Sequence, residues 1–470
     1  MSMAEEKTTV EDIDRSLYDF KDSEEGFYKV NEGLTPEIVE QISKEKNDPE
    51  WMRQFRLQSL EVYNSLKVPD WGPDITDLNM DDIVTYVRPN TGMSAKWSEV
   101  PDDIKNTFER LGIPEAERKS LAGVGAQYDS ELVYHNVKKE VLEQGVIYTD
   151  MESALRDNEE KVRSHFMKLV PPTDHKFAAL HGAVWSGGSF VYVPPGVKVE
   201  IPLQSYFRLN APGAGQFEHT LIIVDEGADL HFIEGCSAPK YNVNNLHAGC
   251  VELFVGKNAR LRYSTIENWS KNMYNLNTKR AICEEGAVIE WVSGSFGSHV
   301  SYLYPMSILK GDFSRAEFTG ITFAGKGQNL DTGAKIVHSG KNTRSVISTK
   351  SISKDGGIST YRSAIVVQEG AKAAKSTVSC QSLMLDDISR SDTVPAMDVR
   401  TSDADIGHEA RIGRISDDAV FYLMSRGISE EEARAMIVSG FADPVSKELP
   451  LEYAVEMNNL IQLEMKGAIG

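Results

Sequence analysis

The stretch IIVDEGADLHF, residues 222–232, consists of two short apolar segments joined by a polar turn at Gly227. The same pattern returns in LFVGKNARLRY (253–263), AICEEGAVIEW (281–291) and AIVVQEGAKAA (364–374), with turn positions at Asn258, Gly286 and Gly370. The gaps between the four turn positions are 31, 28 and 84 residues, and the last gap is three times 28. Two weaker copies, DFSRAEF and GKNTRSV, cover the intermediate positions 314 and 342.

A repeat of this length, built from short strands and turns, is typical of a β-solenoid, in which each coil buries its face by stacking on the next coil. We therefore predict an α+β, mainly β protein whose core is a right-handed parallel β-helix. The pattern leaves one alternative open, which is a sandwich or barrel with evenly spaced hairpins.

The sequence on either side of the repeats has a different periodicity. PEWMRQFRLQSLEVYNSL and DNEEKVRSHFMKLV place apolar residues at helical spacing, and Pro171 and Pro172 end that pattern. Helical signals return after residue 412, where Ser429 and Glu432 predict a capping box. We expect a mostly helical N-terminal domain at 1–170, the β-helix at 171–412 and a helical C-terminal domain at 413–470.

Composition narrows the class of protein. The chain has 470 residues, with 50 basic and 70 acidic side chains and a net charge of -20, which argues against a nucleic-acid partner. Its four cysteines contain no C-x-x-C pair, a usage that suits a reducing compartment. No apolar run is long enough for a membrane span, and the N-terminal MSMAEEKTTVEDIDR resembles no targeting signal. We expect a cytoplasmic protein without a membrane partner.

One candidate site combines a cysteine with the stretch IGHEAR, residues 406–411. The zinc-protease motif H-E-x-x-H is excluded because Ile412 stands where the second histidine is required. Cys380 precedes His408 by 28 residues, one repeat length, so the solenoid would bring Cys380 and the His408-Glu409 pair onto adjacent coils. The three groups would suit an iron or zinc site, or a Cys-His nucleophilic pair. A buried inert cysteine beside a surface His-Glu pair is the plainer alternative.

Two further stretches carry weaker signals. Cys236 in FIEGCSAP follows a glycine in an expected turn, which would expose its sulfur, whereas Cys250 and Cys283 are predicted core residues. GITFAGKG, from Gly320 to Gly327, nearly matches the phosphate-binding loop G-x-x-x-x-G-K-[ST]. Gly327 replaces the hydroxyl that would hold magnesium, and we expect no helix after it. Any ATP would therefore be bound by another chain.

Longer strings carry a resemblance to a known family. The runs HGAVWSGGSFVYVPPGVKVEIPLQSYFR, GQFEHTLIIVDEGA, IEGCSAP and IGHEARIGRISDDAVFYLMSRGISEEEARAMIVSGFA closely resemble the SufBD family of the SUF iron–sulfur cluster assembly system. The resemblance spans roughly residues 40–470. It implies a helical N-terminal region, a β-helix core and a C-terminal helical domain.

The resemblance also implies a function. It indicates a scaffold for iron–sulfur cluster assembly rather than an enzyme, holding a transient cluster and leaving room for a flavin. The implied partners are the ATPase SufC, held by the C-terminal helices, and the paralogue SufD or a second copy, held by the β-helix ends. A cysteine desulfurase and a sulfur carrier would supply persulfide, and apo-proteins would receive the cluster. A structural subunit of the same complex that builds no cluster is the main alternative; a β-helix enzyme acting on acidic polysaccharide would need a secretory signal.

Site residues follow from the same resemblance, residue by residue. Cys236 resembles the cysteine that accepts sulfur, and Arg208 resembles a residue of the sulfur path. Cys380 resembles the cluster-ligand cysteine, and His408 and Glu409 resemble nearby groups required for cluster formation. The chain departs from some members in three places: it lacks a cysteine-rich N-terminal motif, it has Gly407 in place of an acidic residue, and it has Glu267 in place of a neutral amide.

Overall fold

A computed structural model describes residues 19–22, 27–110 and 121–465. The opening segment MSMAEEKTTVEDIDR lies outside the described residues. The helices are α1 (Pro36–Lys46), α2 (Glu50–Ser65), α3 (Asp102–Arg110), α4 (Lys139–Leu142), α5 (Met151–Asp157), α6 (Glu159–His165), α7 (Lys176–Val184), α8 (Asp417–Met424), α9 (Glu430–Ser446) and α10 (Leu451–Met465). Short 3₁₀ turns occur at Met80–Asp82 and Trp97–Glu99.

The strands are β1 (Tyr28–Lys29), β2 (Val87–Arg88), β3 (Gly123–Tyr128), β4 (Glu131–Val137), β5 (Ile147–Asp150), β6 (Ser189–Val193), β7 (Leu203–Arg208), β8 (Gly215–Gln216), β9 (His219–Val224), β10 (Asp229–Ser237), β11 (Asn245–His247), β12 (Cys250–Val255), β13 (Arg260–Asn268), β14 (Met273–Asn275), β15 (Thr278–Cys283), β16 (Val288–Phe296), β17 (Val300–Leu303), β18 (Met306–Leu309), β19 (Arg315–Ala324), β20 (Asn329–His338), β21 (Arg344–Ser353), β22 (Ile358–Val367), β23 (Ala374–Met384), β24 (Arg390–Val399) and β25 (Ala404–Arg414).

The core is a parallel β-solenoid, which confirms the predicted mainly β fold. One sheet has ten strands in the order β25-β23-β21-β19-β16-β13-β10-β7-β3-β4, and the second sheet has 13 strands. From β7 to β25 each strand of the ten-stranded sheet pairs in parallel with the corresponding strand of the next coil. The apolar side chains of the two sheets meet inside the coils and form one continuous core.

A ladder of left-handed turn residues defines the coil length. Gly227, Asn258 and Gly286 have φ angles of 66°, 53° and 66°. Each of them donates its N–H to a carbonyl in the turn of the next coil, and Gly227 reaches the Lys257 oxygen at 2.8 Å. The ladder continues through Phe313, Asn342 and Ala373, which also have positive φ.

The repeat therefore predicted the turn at Asn342 correctly. It placed the preceding turn at residue 314, one residue after Phe313, which has the positive φ. It was wrong for the last copy, because Ala373 has the left-handed conformation there and Gly370 does not. In the segment VVQEGAKAA the turn residue with positive φ is therefore three positions after Gly370.

The N-terminal region is less helical than its periodicity predicts. It contains α1 to α6, but it also contributes β3, which pairs in parallel with β7, and β5, which pairs antiparallel with β6. All six residues of β3 are buried, so the strand lacks the alternation that would reveal it in the sequence. These strands extend both sheets at the first end of the solenoid.

The C-terminal helices pack on the outside of the ten-stranded sheet. The capping box predicted from Ser429 and Glu432 is present at the start of α9. Val438 and Met457 share an apolar cluster with Ile321 and Ile352, whose side chains point out of the solenoid. Within the described ranges, no helix is both long enough and apolar enough to cross a membrane.

Candidate functional site

The structure places Cys380 and His408 against each other on the last two strands of the ten-stranded sheet. Cys380 lies on β23 and His408 on β25, where Val378 is directly opposite His408. Alternate residues of a strand face the same side, so His408 points to the same side as Cys380. The Cys380 Sγ and His408 Nε2 atoms are 4.0 Å apart. The adjacency expected from the 28-residue spacing is therefore present in the fold.

Cys380 is enclosed in the interior of the solenoid. Only 2% of the residue is exposed, and a cavity of about 20 Å³, room for one water molecule, lies beside it. Burial raises the pKa of the Cys380 thiol, and a hydrogen bond with Thr349 only partly opposes that effect. In this closed arrangement the thiol is protonated at neutral pH, so formation of the nucleophilic or metal-binding thiolate needs an opening of the coil or a cation.

Glu409 is not brought to the same place. It neighbours His408 in the chain and therefore faces the opposite side of β25. Its Oε1 atom is 2.7 Å from the Arg411 guanidinium, in an ion pair whose two side chains are more than half exposed. Of the three groups predicted to form one site, the structure joins the thiol and the imidazole and holds the carboxylate on the outer surface.

Two rows of inward-facing residues connect Cys236 to Cys380 across the stacked coils. Strand register aligns the first row as Cys236, Glu267, Ser295, Thr322, Ser351 and Ser382, and the second as Glu234, Thr265, Ser293, Gly320, Thr349 and Cys380. Most of these residues are polar, although they lie inside a solenoid whose other inward positions are largely apolar. Five strand spacings separate the two cysteines, which corresponds to roughly 24 Å.

A buried ion cluster lies at the Cys236 end of the rows. The Lys279 Nζ atom is 3.1 Å from Glu234 Oε1 and 3.5 Å from Glu267 Oε1, and all three side chains are almost fully buried. Burial alone would lower the pKa of Lys279, but the two carboxylates outweigh it and the pKa is raised. No sequence motif predicts this cluster, because Lys279 is 45 residues from Glu234 in the chain.

Cys236 itself differs from its prediction. It lies within β10 rather than in a turn, opposite Phe207 on β7 and Glu267 on β13, and only 1% of it is exposed. The glycine before it does not make a turn; Gly235 lies under the Tyr206 ring, where a Cβ atom would be 2.4 Å from a ring carbon. Burial and the carboxylates of Glu234, Glu218 and Glu267 raise the pKa of the Cys236 thiol well above its usual value, and Lys279 lowers it less.

Arg208 ends β7 and is fully buried. It pairs in register with Ser237, so its side chain leaves the strand on the side opposite to Cys236. Its Nη1 donates to Ser237 Oγ at 3.1 Å and its Nη2 to the Phe20 carbonyl at 2.9 Å. Burial lowers the pKa of Arg208. The guanidinium therefore lies beside Ser237, the residue after Cys236, and does not face the Cys236 thiol.

The stretch that resembles a phosphate-binding loop has a different local structure. Gly320 lies within β19, and Gly327, with a φ of 75°, is in the turn that leads to β20. The element after this turn is a strand, so no helix N-terminus follows Gly327 to direct backbone N–H groups at a phosphate.

The fold and the site together define a class: a β-solenoid protein in which a thiol and an imidazole from adjacent coils meet at the end of a polar interior row. The family model described as SUF system FeS cluster assembly, SufBD core domain, matches residues 207–441. The model of the SufBD protein N-terminal region matches residues 39–205.

Curated relatives agree with the family models. The iron-sulfur cluster assembly protein SufB of Bacillus subtilis (strain 168) is 52% identical over 459 residues, covering 98% of this chain and 99% of the relative. The iron-sulfur cluster assembly SufBD family protein SAR0880 of Staphylococcus aureus (strain MRSA252) is 51% identical with the same coverage. The chain therefore belongs to the SufBD family of iron–sulfur cluster assembly proteins, as its sequence runs predicted.

Proposed function

We propose that this protein is a scaffold on which an iron–sulfur cluster is built, with sulfur entering at Cys236 and the cluster forming at Cys380 and His408. The observation that carries the proposal is the contact between the Cys380 Sγ and His408 Nε2 atoms, 4.0 Å apart on adjacent coils. Iron and sulfide are then substrates that the protein assembles and passes on to apo-proteins.

The ligand set explains why such a cluster would be transient. Stable iron–sulfur clusters are commonly held by four thiolates. One thiolate and one imidazole, with further ligands from a partner or from Glu409 after a movement of β25, would hold a cluster weakly enough to release it. A scaffold requires this weak binding, whereas an electron-transfer protein requires the opposite.

The polar rows offer a route for sulfur inside the solenoid. A Cys236 thiolate would attack the outer sulfur of a donor persulfide, so that a new S–S bond forms at Cys236 and the donor leaves as a thiolate. Release of that sulfur as hydrosulfide needs two electrons, which a second thiol would supply by forming a disulfide with Cys236, or a reduced flavin by becoming oxidised. Lys279 and hydroxyl groups such as those of Ser295 and Thr349 are hydrogen-bond donors along the way to Cys380.

Two surfaces are suited to the proposed partners. Phe421, Tyr422 and Met436 on the C-terminal helices are large, apolar and more than half exposed, and they would receive a SufC-like ATPase. β24 and β25 end the two sheets in the described part of the chain, and they would pair with a SufD-like paralogue or a second copy. ATP-driven movement of the partners would then open the last coil and expose Cys380.

Anaerobic co-expression with the ATPase and the paralogue, followed by iron Mössbauer spectroscopy, tests the proposal. We expect a cluster signal in the wild type, its loss in Cys380→Ser and His408→Ala, and its retention in Cys283→Ala, which removes a buried cysteine of the opposite sheet. A cluster that survives Cys380→Ser would contradict the assignment. Its absence from all the proteins would favour a structural subunit that builds no cluster.

A further inference from the structure

A second group of metal-ligating side chains lies outside the solenoid interior, under helix α7. His181 on α7, His219 on β9 and Cys250 on β12 are all buried, and one donor atom from each lies within 4.8 Å of the others. His219 and Cys250 are direct partners in the strand register. Their strands supply one wall and α7 supplies the other, so the group joins the N-terminal region to the first coils.

The two imidazoles form one continuous chain of polar contacts. His181 Nδ1 lies 2.9 Å from the Ala248 carbonyl oxygen, and His181 Nε2 lies 2.9 Å from His219 Nδ1. His219 Nε2 lies 3.2 Å from Glu252 Oε2, close enough for an ion pair, but the two atoms do not have hydrogen-bond geometry. The Glu252 carboxylate also accepts backbone N–H groups, among them that of Leu169 at 2.7 Å.

Two neutral imidazoles can make both hydrogen bonds of this chain only if the His219 Nε2 lone pair faces the Glu252 carboxylate, which is unfavourable. Each neutral imidazole has a single N–H, and the chain has three contacts, to Ala248, between the rings and to Glu252. If the outer nitrogens donate to Ala248 and Glu252, which are acceptors, the two inner nitrogens face each other with lone pairs. A positive charge must then lie between the His181 Nε2 and His219 Nδ1 atoms.

We propose that His181 Nε2, His219 Nδ1 and the Cys250 thiolate bind a divalent transition metal ion of the zinc or ferrous iron class. Ions of this class favour imidazole and thiolate ligands. The outer nitrogens face the groups to which metal-bound histidines usually donate, a backbone carbonyl 2.9 Å from His181 and a carboxylate 3.2 Å from His219. The ion, the thiolate and the Glu252 carboxylate together have no net charge.

The metal also accounts for a buried cysteine that the proposed assembly route does not use. A tetrahedral ion with metal–nitrogen bonds of about 2.0 Å separates its two nitrogens by about 3.3 Å, so binding requires the rings to move apart by only about 0.4 Å. The site would hold α7 on the sheet that contains β9 and β12. Its role is structural, and it stands whether or not a cluster forms at Cys380.

The test uses the full chain, refolded or purified without oxygen and loaded with zinc alone or ferrous iron alone. We expect one tightly held ion per chain in the wild type and in Cys380→Ser, and at least a tenfold weaker affinity in Cys250→Ala and His181→Gln. Zinc-edge X-ray absorption of the wild type should show two nitrogen ligands and one sulfur ligand. This last measurement keeps the proposal falsifiable if the variants do not fold.

Three results would overturn it. In the first, the wild type binds neither ion after loading. In the second, Cys380→Ser loses the ion and Cys250→Ala keeps it. In the third, X-ray absorption shows no sulfur among the ligands of the bound ion. The first result would leave a proton, rather than a metal ion, as the positive charge between the two imidazoles. The first and third results leave the iron signal expected from Cys380 and His408 untouched, and the second would place the bound ion at Cys380, so failure of this proposal is distinguishable from failure of the scaffold proposal.

Discussion

The Cys380 thiol, a proposed cluster ligand, lies in a closed environment. Because burial raises its pKa, only a small fraction is thiolate at neutral pH, and that fraction grows as the pH rises. We expect iodoacetamide to alkylate Cys380 of the isolated folded chain at least tenfold more slowly than a free thiol, and to do so faster at higher pH. Addition of the proposed ATPase partner and ATP should raise the rate. Peptide mass spectrometry would measure it, and labelling as fast as that of an unfolded control would contradict the closed arrangement.

Lys279 is the residue whose loss should cost most at the Cys236 end of the interior. Lys279→Met leaves Glu234 and Glu267 buried without their cation, and removal of one partner of a buried ion pair typically costs about 3–5 kcal/mol. The matched control is Lys310→Met, which removes a lysine from an exposed pair with Glu284 and should change stability little. Equal thermal unfolding midpoints for the two variants would show that Lys279 is not needed to neutralise the interior.

The contact between Cys380 and His408 could be predicted from the sequence because it depends on a single spacing. The 28 residues between Cys380 and His408 equal one coil, which places the two side chains on neighbouring strands. The outward direction of Glu409 follows from strand alternation, a constraint that the composite-site prediction did not apply. Lys279 and Glu234 are 45 residues apart and belong to different sheets, so neither periodicity nor a local motif could pair them.

At the level of elements, the turn ladder separates glycines that are required from glycines that are not. Gly227 has a φ of 66°, and Gly227→Ala should destabilise the protein by about 1 kcal/mol because an L-residue is strained in that conformation. Gly370 occupies the equivalent place in the sequence repeat but has no positive φ, and a Cβ there meets nothing within 4 Å. Gly370→Ala should therefore leave the unfolding midpoint unchanged or slightly higher. A comparable loss in both variants would mean that Gly370 is a turn residue of the ladder after all.

The same comparison shows what a repeat can and cannot specify. Strand and turn periodicity predicted the parallel stacking, because every coil must bury its apolar face on the next one. It could not predict β3, whose six residues are all buried and whose pairing with β7 depends on a partner some 80 positions away. The polar interior rows were equally hidden, since each strand contributes only two members, one to each row.

At the scale of the whole molecule, the two proposed docking surfaces lie on different elements and can be disabled separately. Met397 on β24 is 46% exposed and Met436 on α9 is 53% exposed. Met397→Glu places a charge on the end strand and should weaken association with the paralogue, or with a second copy, while the ATPase still binds. Met436→Glu should have the reverse effect, because a buried unpaired charge is unfavourable only in the interface that covers it.

Size-exclusion chromatography with light scattering, on the purified chain mixed with each partner, distinguishes these outcomes. Both variants should keep the wild-type unfolding midpoint, since both side chains are about half exposed in the isolated chain. Loss of both partners in a single variant would mean that the surfaces are not separate. Loss of neither would place the interfaces elsewhere, and the opening of the last coil around Cys380 would then need a different cause.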